Sequence, residues 1–324
     1  MKKIMIILLL GQLLYIPTIS KAAVIDSSKP YSYKEYQQDV WLLKSKYKDR
    51  LQLETIGTSE YGRKLYAIHL GSGKKNILMI GSHHGREWIT SLLLMNMVEN
   101  YASSSNLNKE LADVSIWFVP MLNPDGVTIQ QGEIDKFPFF AKRNIKKMNE
   151  GSTDFSKWKS NGLGIDLNRQ YSAGWDELYY ASKRPSYKNY KGHQPFEAKE
   201  VKAIVEFTEK IKPSIAISYH SSGQEIYWQY KNGEYTERDR KIAEKISAAT
   251  GYKLGVPDED AIGAGYTDWF IDKYKLPALT IEICPLIEET NPPLHTFPEE
   301  WKRNKEIPKI LIQEVKKLEE AHKK

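Results

Sequence analysis

The sequence predicts one α/β domain with a central, mostly parallel mixed β-sheet flanked by helices. Three observations carry that prediction. Strand-like and helix-like stretches alternate along most of the chain, the order that builds a parallel sheet between helical layers. The run NILMI, Asn76 to Ile80, is short, apolar and closed by Gly81, as expected of a strand buried on both faces. Three polar side chains, His84, His220 and Glu282, fall at or just beyond the ends of strand-like runs, where open α/β sheets carry their sites. The length of 324 residues suits one large domain, and 41% hydrophobic with 27% charged residues is an ordinary globular composition.

The elements follow in order. Residues 1–22 stand apart: a basic head (MKK), an apolar run (IMIILLLGQLLYIP) and small residues before Ala22 have the layout of a secretory signal peptide cleaved after Ala22. That leaves 23–324 as one domain. Tyr31 to Tyr47 has helical spacing, with Tyr36, Val40, Leu43 and Tyr47 on one face. Leu51 to Ile56 and Lys64 to Leu70 read as strands around the turn TSEYGRK. After the NILMI strand, Glu87 to Tyr101 reads as a helix, and Val114 to Val119 as a strand closed by a turn at NPDG. Lys199 to Lys210 is helical and Ser214 to Tyr219 is a strand ending at His220. Arg238 to Thr250 is a helix closed by Gly251. Ala278 to Ile283 is a strand carrying Glu282, and Trp301 to Ala321 is a last helix with a kink or restart at Pro308.

Charge and cysteine content narrow the function classes. Losing Lys2, Lys3 and Lys21 with the leader takes 47 basic residues to 44 against 41 acidic, a net charge of about +3. That is too mild to suggest nucleic acid, and no basic run is interleaved with aromatics. Past the leader no segment is apolar enough to span a bilayer, so no stable membrane association is expected after cleavage. Cys284 is the only cysteine, so no internal disulfide can form.

The stretch GSHHGREWIT, Gly81 to Thr90, holds the first chemical signal. His84 and Glu87 have the spacing H-x-x-E, which lets two side chains face one ion as a strand turns into a helix. His83 is the competitor, through the longer H-x-x-x-E. His220 is the best third ligand, completing the three protein donors of a hydrolytic zinc site. His69, His193, His295 and His322 read as surface or structural. Glu282 lies within the apolar run ALTIEIC, where a carboxylate is costly unless it has a partner or a task.

With these residues in place, the chain resembles the zinc metallocarboxypeptidase family. HGREWIT, Asp166-Leu167-Asn168-Arg169, His220 after a strand, and TDWF followed by TIEI occur in the family's order, and the likeness covers nearly all of residues 23–324. The resemblance implies that His84, Glu87 and His220 bind one Zn2+. It implies that Glu282 is the general base, taking a proton from the nucleophilic water and passing it to the leaving amine. Arg86 would line the substrate groove, and Asn168 and Arg169 would hold the free carboxylate of a terminal residue, a task suited to a guanidinium fork. The family's carbonyl-polarising arginine has no clean match. Lys159 stands at a plausible place, with Arg143 farther back. Tyr266 is the candidate for the tyrosine that caps the substrate. Thr267 occupies the specificity position before Asp268 and suits a polar or zwitterionic group.

HSSGQEIYW, WKSNGLGIDLNRQY and GHQPFEAKEVKAIVEFT look like the bacterial branch that cuts γ-D-glutamyl–diamino acid bonds in peptidoglycan stem peptides. The resemblance implies a secreted or wall-associated peptidase acting on a peptide or muropeptide. A broad secreted carboxypeptidase and an inactive wall-binding protein are the alternatives. Asp258, Glu259 and Asp260 offer a possible site for a cationic substrate group, and Cys284 reads as a buried packing thiol.

Overall fold

The computed structural model describes residues 23–104, 109–179, 181–257 and 262–322. The leader and the Asp258–Asp260 cluster lie outside them. The strands are β1 (Leu51–Thr58), β2 (Lys64–Leu70), β3 (Lys75–Ile80), β4 (Val114–Val119), β5 (Ile215–Ser221), β6 (Glu225–Tyr227), β7 (Lys253–Leu254) and β8 (Ala278–Ile283). The α-helices run α1 (Tyr33–Lys46), α2 (Ile89–Ser103), α3 (Glu110–Asp113), α4 (Pro124–Gln130) and α5 (Phe139–Met148). They continue with α6 (Lys199–Ile211), α7 (Thr236–Thr250), α8 (Tyr266–Tyr274), α9 (Phe297–Asn304) and α10 (Ile307–His322).

The strands form one mixed sheet in the order β1-β2-β4-β3-β5-β8-β6-β7. Its centre, β4-β3-β5-β8, is parallel throughout. An antiparallel β1-β2 hairpin extends one side, and β6 returns antiparallel to β8 on the other. Alternation along β3 shows why the run is apolar throughout. Ile77 and Met79 enter the core under α1, α2, α7 and α10, whereas Leu78 and Ile80 enter the core under α6 and α8. A strand covered by helices on both faces needs apolar side chains on both.

Local chemistry moved several boundaries. The helix expected from Glu87 starts at Ile89, after a short 3-10 turn over Gly85–Glu87. NPDG is not a terminal turn: Asn123 caps α4 by accepting from Gly126 N, and Pro124 is its first residue, where a missing N–H costs nothing. The last expected helix is two, α9 and α10, separated at Lys305 and Glu306 ahead of Pro308.

Candidate active site

Three adjacent parallel strands bring the polar groups together. His84 lies beyond β3, His220 is the sixth residue of β5, and Glu282 stands opposite His220 in the β5–β8 register. His84, Glu87 and His220 are all buried, and one donor atom of each lies within 4.8 Å of the others. His84 Nδ1 is 2.7 Å from Glu87 Oε1, His220 Nδ1 is 2.9 Å from Glu87 Oε2, and the two Nδ1 atoms are 3.2 Å apart. The outer ring nitrogens are held from behind. His84 Nε2 meets Asp166 Oδ1 at 3.2 Å, and His220 Nε2 meets Ser218 Oγ at 3.0 Å. Both imidazoles therefore turn Nδ1 inward. His83 is excluded from the set, because its two nitrogens face Tyr171 Oη at 3.0 Å and Ser218 Oγ at 3.1 Å.

The turn that presents His84 and Glu87 needs a glycine. A Cβ on Gly85 would fall 2.4 Å from the carbonyl carbon and oxygen of Gly126 in α4. Gly85 N also donates to Lys159 O at 3.0 Å, tying this turn to the next segment of the site.

Asp166 is the residue that sequence reasoning quoted but gave no task. It is fully buried; Oδ1 faces His84 and accepts from Asn168 N at 3.1 Å, while Lys159 Nζ lies 3.0 Å from Oδ2. One carboxylate thus orients a histidine, starts the turn carrying Asn168 and Arg169, and neutralises a buried lysine. Its contact with His84 spans 82 residues, so no local pattern reveals it.

A cavity of about 340 Å³ opens over these groups. Arg86, Lys159, Asn168, Arg169, Thr267 and Glu282 all line it. Arg86 Nη1 donates to Glu289 O at 3.3 Å at the rim. Asn168 Oδ1 accepts from Tyr266 N at 3.0 Å, and Arg169 Nη1 donates to Asn168 O at 2.9 Å. Among the described residues no carboxylate comes within ion-pair distance of Arg169. Thr267 and Thr280 share a hydroxyl hydrogen bond at 2.9 Å on the wall. Asp268 stands beside them, accepting from Gly263 N at 2.9 Å.

Burial sets the protonation pattern. It would raise the Glu87 carboxyl, but the facing His84 and His220 hold it well below the usual range. Asp166 behaves alike, with burial opposed by Lys159 and His84. Glu282 has no such pair: burial first, then the Glu87 carboxylate, push it well above the usual range. Lys159 is lowered by burial. Burial also raises Asp268 to about 6.

The zinc carboxypeptidase family model matches residues 36–307, more than half of the chain. The chain belongs to the zinc carboxypeptidase family. Among curated relatives it is 30% identical to gamma-D-glutamyl-L-diamino acid endopeptidase 1 of Lysinibacillus sphaericus over 80% of this chain and 67% of that protein. It is 32% identical to YqgT of Bacillus subtilis, over 70% of this chain and 63% of YqgT. The chain thus spans about two thirds of the length of these relatives. Bovine thrombin-activatable fibrinolysis inhibitor shares the fold at 22% identity, with a TM-score of 0.74 over 90% of this chain and 99% of that one.

The donor set suits the family's metal. Two imidazole nitrogens and one carboxylate, with both imidazoles held by outer partners, fit the three-ligand donor set of a catalytic zinc site. His84, Glu87 and His220 are this zinc carboxypeptidase's metal residues, and the chain is a metallopeptidase.

One expectation is corrected. Tyr266 does not cap a substrate. It is fully buried, its hydroxyl shares a hydrogen bond with Thr208 Oγ1 at 3.0 Å, and it packs on Tyr171 and Phe270. Arg143 is exposed on α5 and does not line the cavity, whereas Lys159 does. Cys284 is buried in the core, close to Thr296.

Proposed function

We propose that this zinc carboxypeptidase hydrolyses the γ-D-glutamyl–meso-diaminopimelate bond of peptidoglycan stem peptides, outside the cell after export. The observation that carries this reading is the cavity wall. Arg169, which has no carboxylate within ion-pair distance among the described residues, offers with Asn168 a seat for a free carboxylate. The neighbouring wall is polar, with the Thr267–Thr280 hydroxyl pair and Asp268 where an apolar substrate side chain would need an apolar slot. Diaminopimelate presents a free carboxylate and, at the far end of its side chain, a zwitterion. The relative from Lysinibacillus sphaericus, whose name states cleavage at such a diamino acid, supports the same choice.

Bound zinc supplies Lewis acidity and a water of lowered pKa. The chain's residues do the rest. Arg169 and Asn168 fix the carboxylate, so that the scissile carbonyl lies toward Glu282 and Lys159. Lys159, held by Asp166, places positive charge where the carbonyl oxygen gains negative charge. Glu282 takes the proton of the attacking water on its carboxylate as the C–O bond forms. It returns that proton to the amine nitrogen as the C–N bond breaks. A carboxyl with a raised affinity for protons suits both transfers.

The test incubates the zinc-loaded enzyme with L-Ala-γ-D-Glu-meso-diaminopimelate and with ordinary L-peptides, with and without chelator, and follows products by mass spectrometry. Chelator-sensitive release of diaminopimelate with the L-peptides intact supports the proposal. Trimming of L-peptides alone would overturn it in favour of a general carboxypeptidase. Glu282→Gln should keep its zinc and lose about 10²- to 10⁴-fold in rate.

A further inference from the structure

Helix α5 lies away from the cavity, and none of its residues lines it. Its sequence FFAKRNIKKM holds four basic residues and no acid. Ala141 and Ile145 pack inward against Phe137 and Trp158. The outward face carries Phe139 and Phe140, which are 75% and 77% exposed. Their rings meet edge to face at 5.6 Å. Arg143 continues this face one turn on, Lys146 and Lys147 about two turns on, and all three are exposed. Among the described residues none of the three has a carboxylate within ion-pair distance. The nearby acid, Asp135, is tied to Lys142 at 2.9 Å and also lies in the field of Lys146.

A single exposed apolar side chain is common on a protein surface. Two adjacent phenyl rings in water, flanked by three cations on the same helix face, are a different arrangement. From it we infer that the outward face of α5 docks peripherally on an anionic lipid bilayer. The cations match lipid phosphates, and the rings have an apolar phase to enter at the headgroup boundary. A soluble polyanion such as a phosphate polymer would satisfy Arg143, Lys146 and Lys147 but leave both rings in water. The contact is interfacial: among the described residues no helix is long and apolar enough to cross a membrane. It is also reversible by salt, because the cations lie on the surface.

The test is co-sedimentation of the purified protein with phosphatidylcholine vesicles and with phosphatidylcholine–phosphatidylglycerol vesicles, at low and high salt. The double change Phe139→Ser/Phe140→Ser and the triple change Arg143→Gln/Lys146→Gln/Lys147→Gln are compared with the parent, and their thermal melts and hydrolysis of a soluble peptide should match it. Binding to the anionic vesicles alone, weakened by salt, is expected. Each cation should contribute about fivefold, so the triple change should lose about a hundredfold. The double change should also abolish most binding. Three outcomes overturn the inference: no binding to anionic vesicles at low salt, equal capture by soluble poly(glycerol phosphate) with the phenylalanines irrelevant, or binding that survives in both variants. The last would place the contact elsewhere, residues 4–17 included.

Discussion

Replacing Asp166 tests whether an outer carboxylate governs the metal site. Asp166 is buried and meets three groups at once: His84 Nε2 at 3.2 Å, Asn168 N at 3.1 Å and Lys159 Nζ at 3.0 Å. In Asp166→Asn the amide oxygen can still accept from His84 and Asn168, so the geometry persists and the charge is lost. In Asp166→Ala the acceptor is lost as well. Outer partners of ligating histidines typically hold about 10- to 100-fold of metal affinity. That range corresponds to about 1.4–2.8 kcal/mol, which overlaps the worth of one hydrogen bond to a charged group, about 1.5–3 kcal/mol. The amide should fall at the low end and alanine at the high end. Zinc affinity is read by competition with a chromophoric chelator, beside circular dichroism of the metal-free protein. The amide should also leave Lys159 buried without its anion, so that turnover falls further than zinc occupancy accounts for. Zinc affinity unchanged in both variants, with the fold intact, would refute the reasoning.

Three further predictions follow from the same geometry. Arg169→Met should cost about 10- to 100-fold in kcat/KM on substrates with a free terminal carboxylate, and little on the matching amides; equal losses on both would remove the carboxylate role. Glu200 is fully buried near Asp125 and Glu60, and burial followed by those charges raises it to about 8 from an ordinary 4.5. The folded chain then binds more protons than the unfolded one between those values, so stability should fall as pH rises through that window. Glu200→Gln should flatten this slope in melts taken across the range, with its advantage confined to the alkaline side. Gly85→Ala places a Cβ against the Gly126 carbonyl, so it should cost about 1–3 kcal/mol or more and weaken zinc binding together with thermal stability.

Much of this was readable from the chain, for identifiable reasons. β2, β4 and β8 stand where the sequence put them, because each is an apolar run bounded by turn or polar residues. His84, Glu87 and His220 were legible because each sits at a break in such a run. β6 and β7 were not, since three- and two-residue edge strands have no room for a period to show. NPDG was misread because an asparagine cap followed by proline opens a helix as readily as it makes a turn. Asp166 and Tyr171 could not be assigned as supports, because they meet His84 and His83 from 82 and 88 positions away, and Ser218 reaches His83 from 135 positions away as well as its near neighbour His220. Tyr266 misled for the converse reason. Its neighbour Thr267 faces the cavity, and one step around the helix turns the phenol into the core.

The sheet order has a consequence for synthesis. His84 and Glu282 are 198 positions apart in the chain, yet β3, which leads to His84, and β8, which carries Glu282, flank the same neighbour, β5. A nascent chain that has not yet exposed Ala278–Ile283 lacks Glu282, the proton acceptor of the proposed mechanism, and β5 lacks the strand that pairs with His220. On the proposed mechanism, peptide-cutting power arrives only once β8 has been made and docked beside β5.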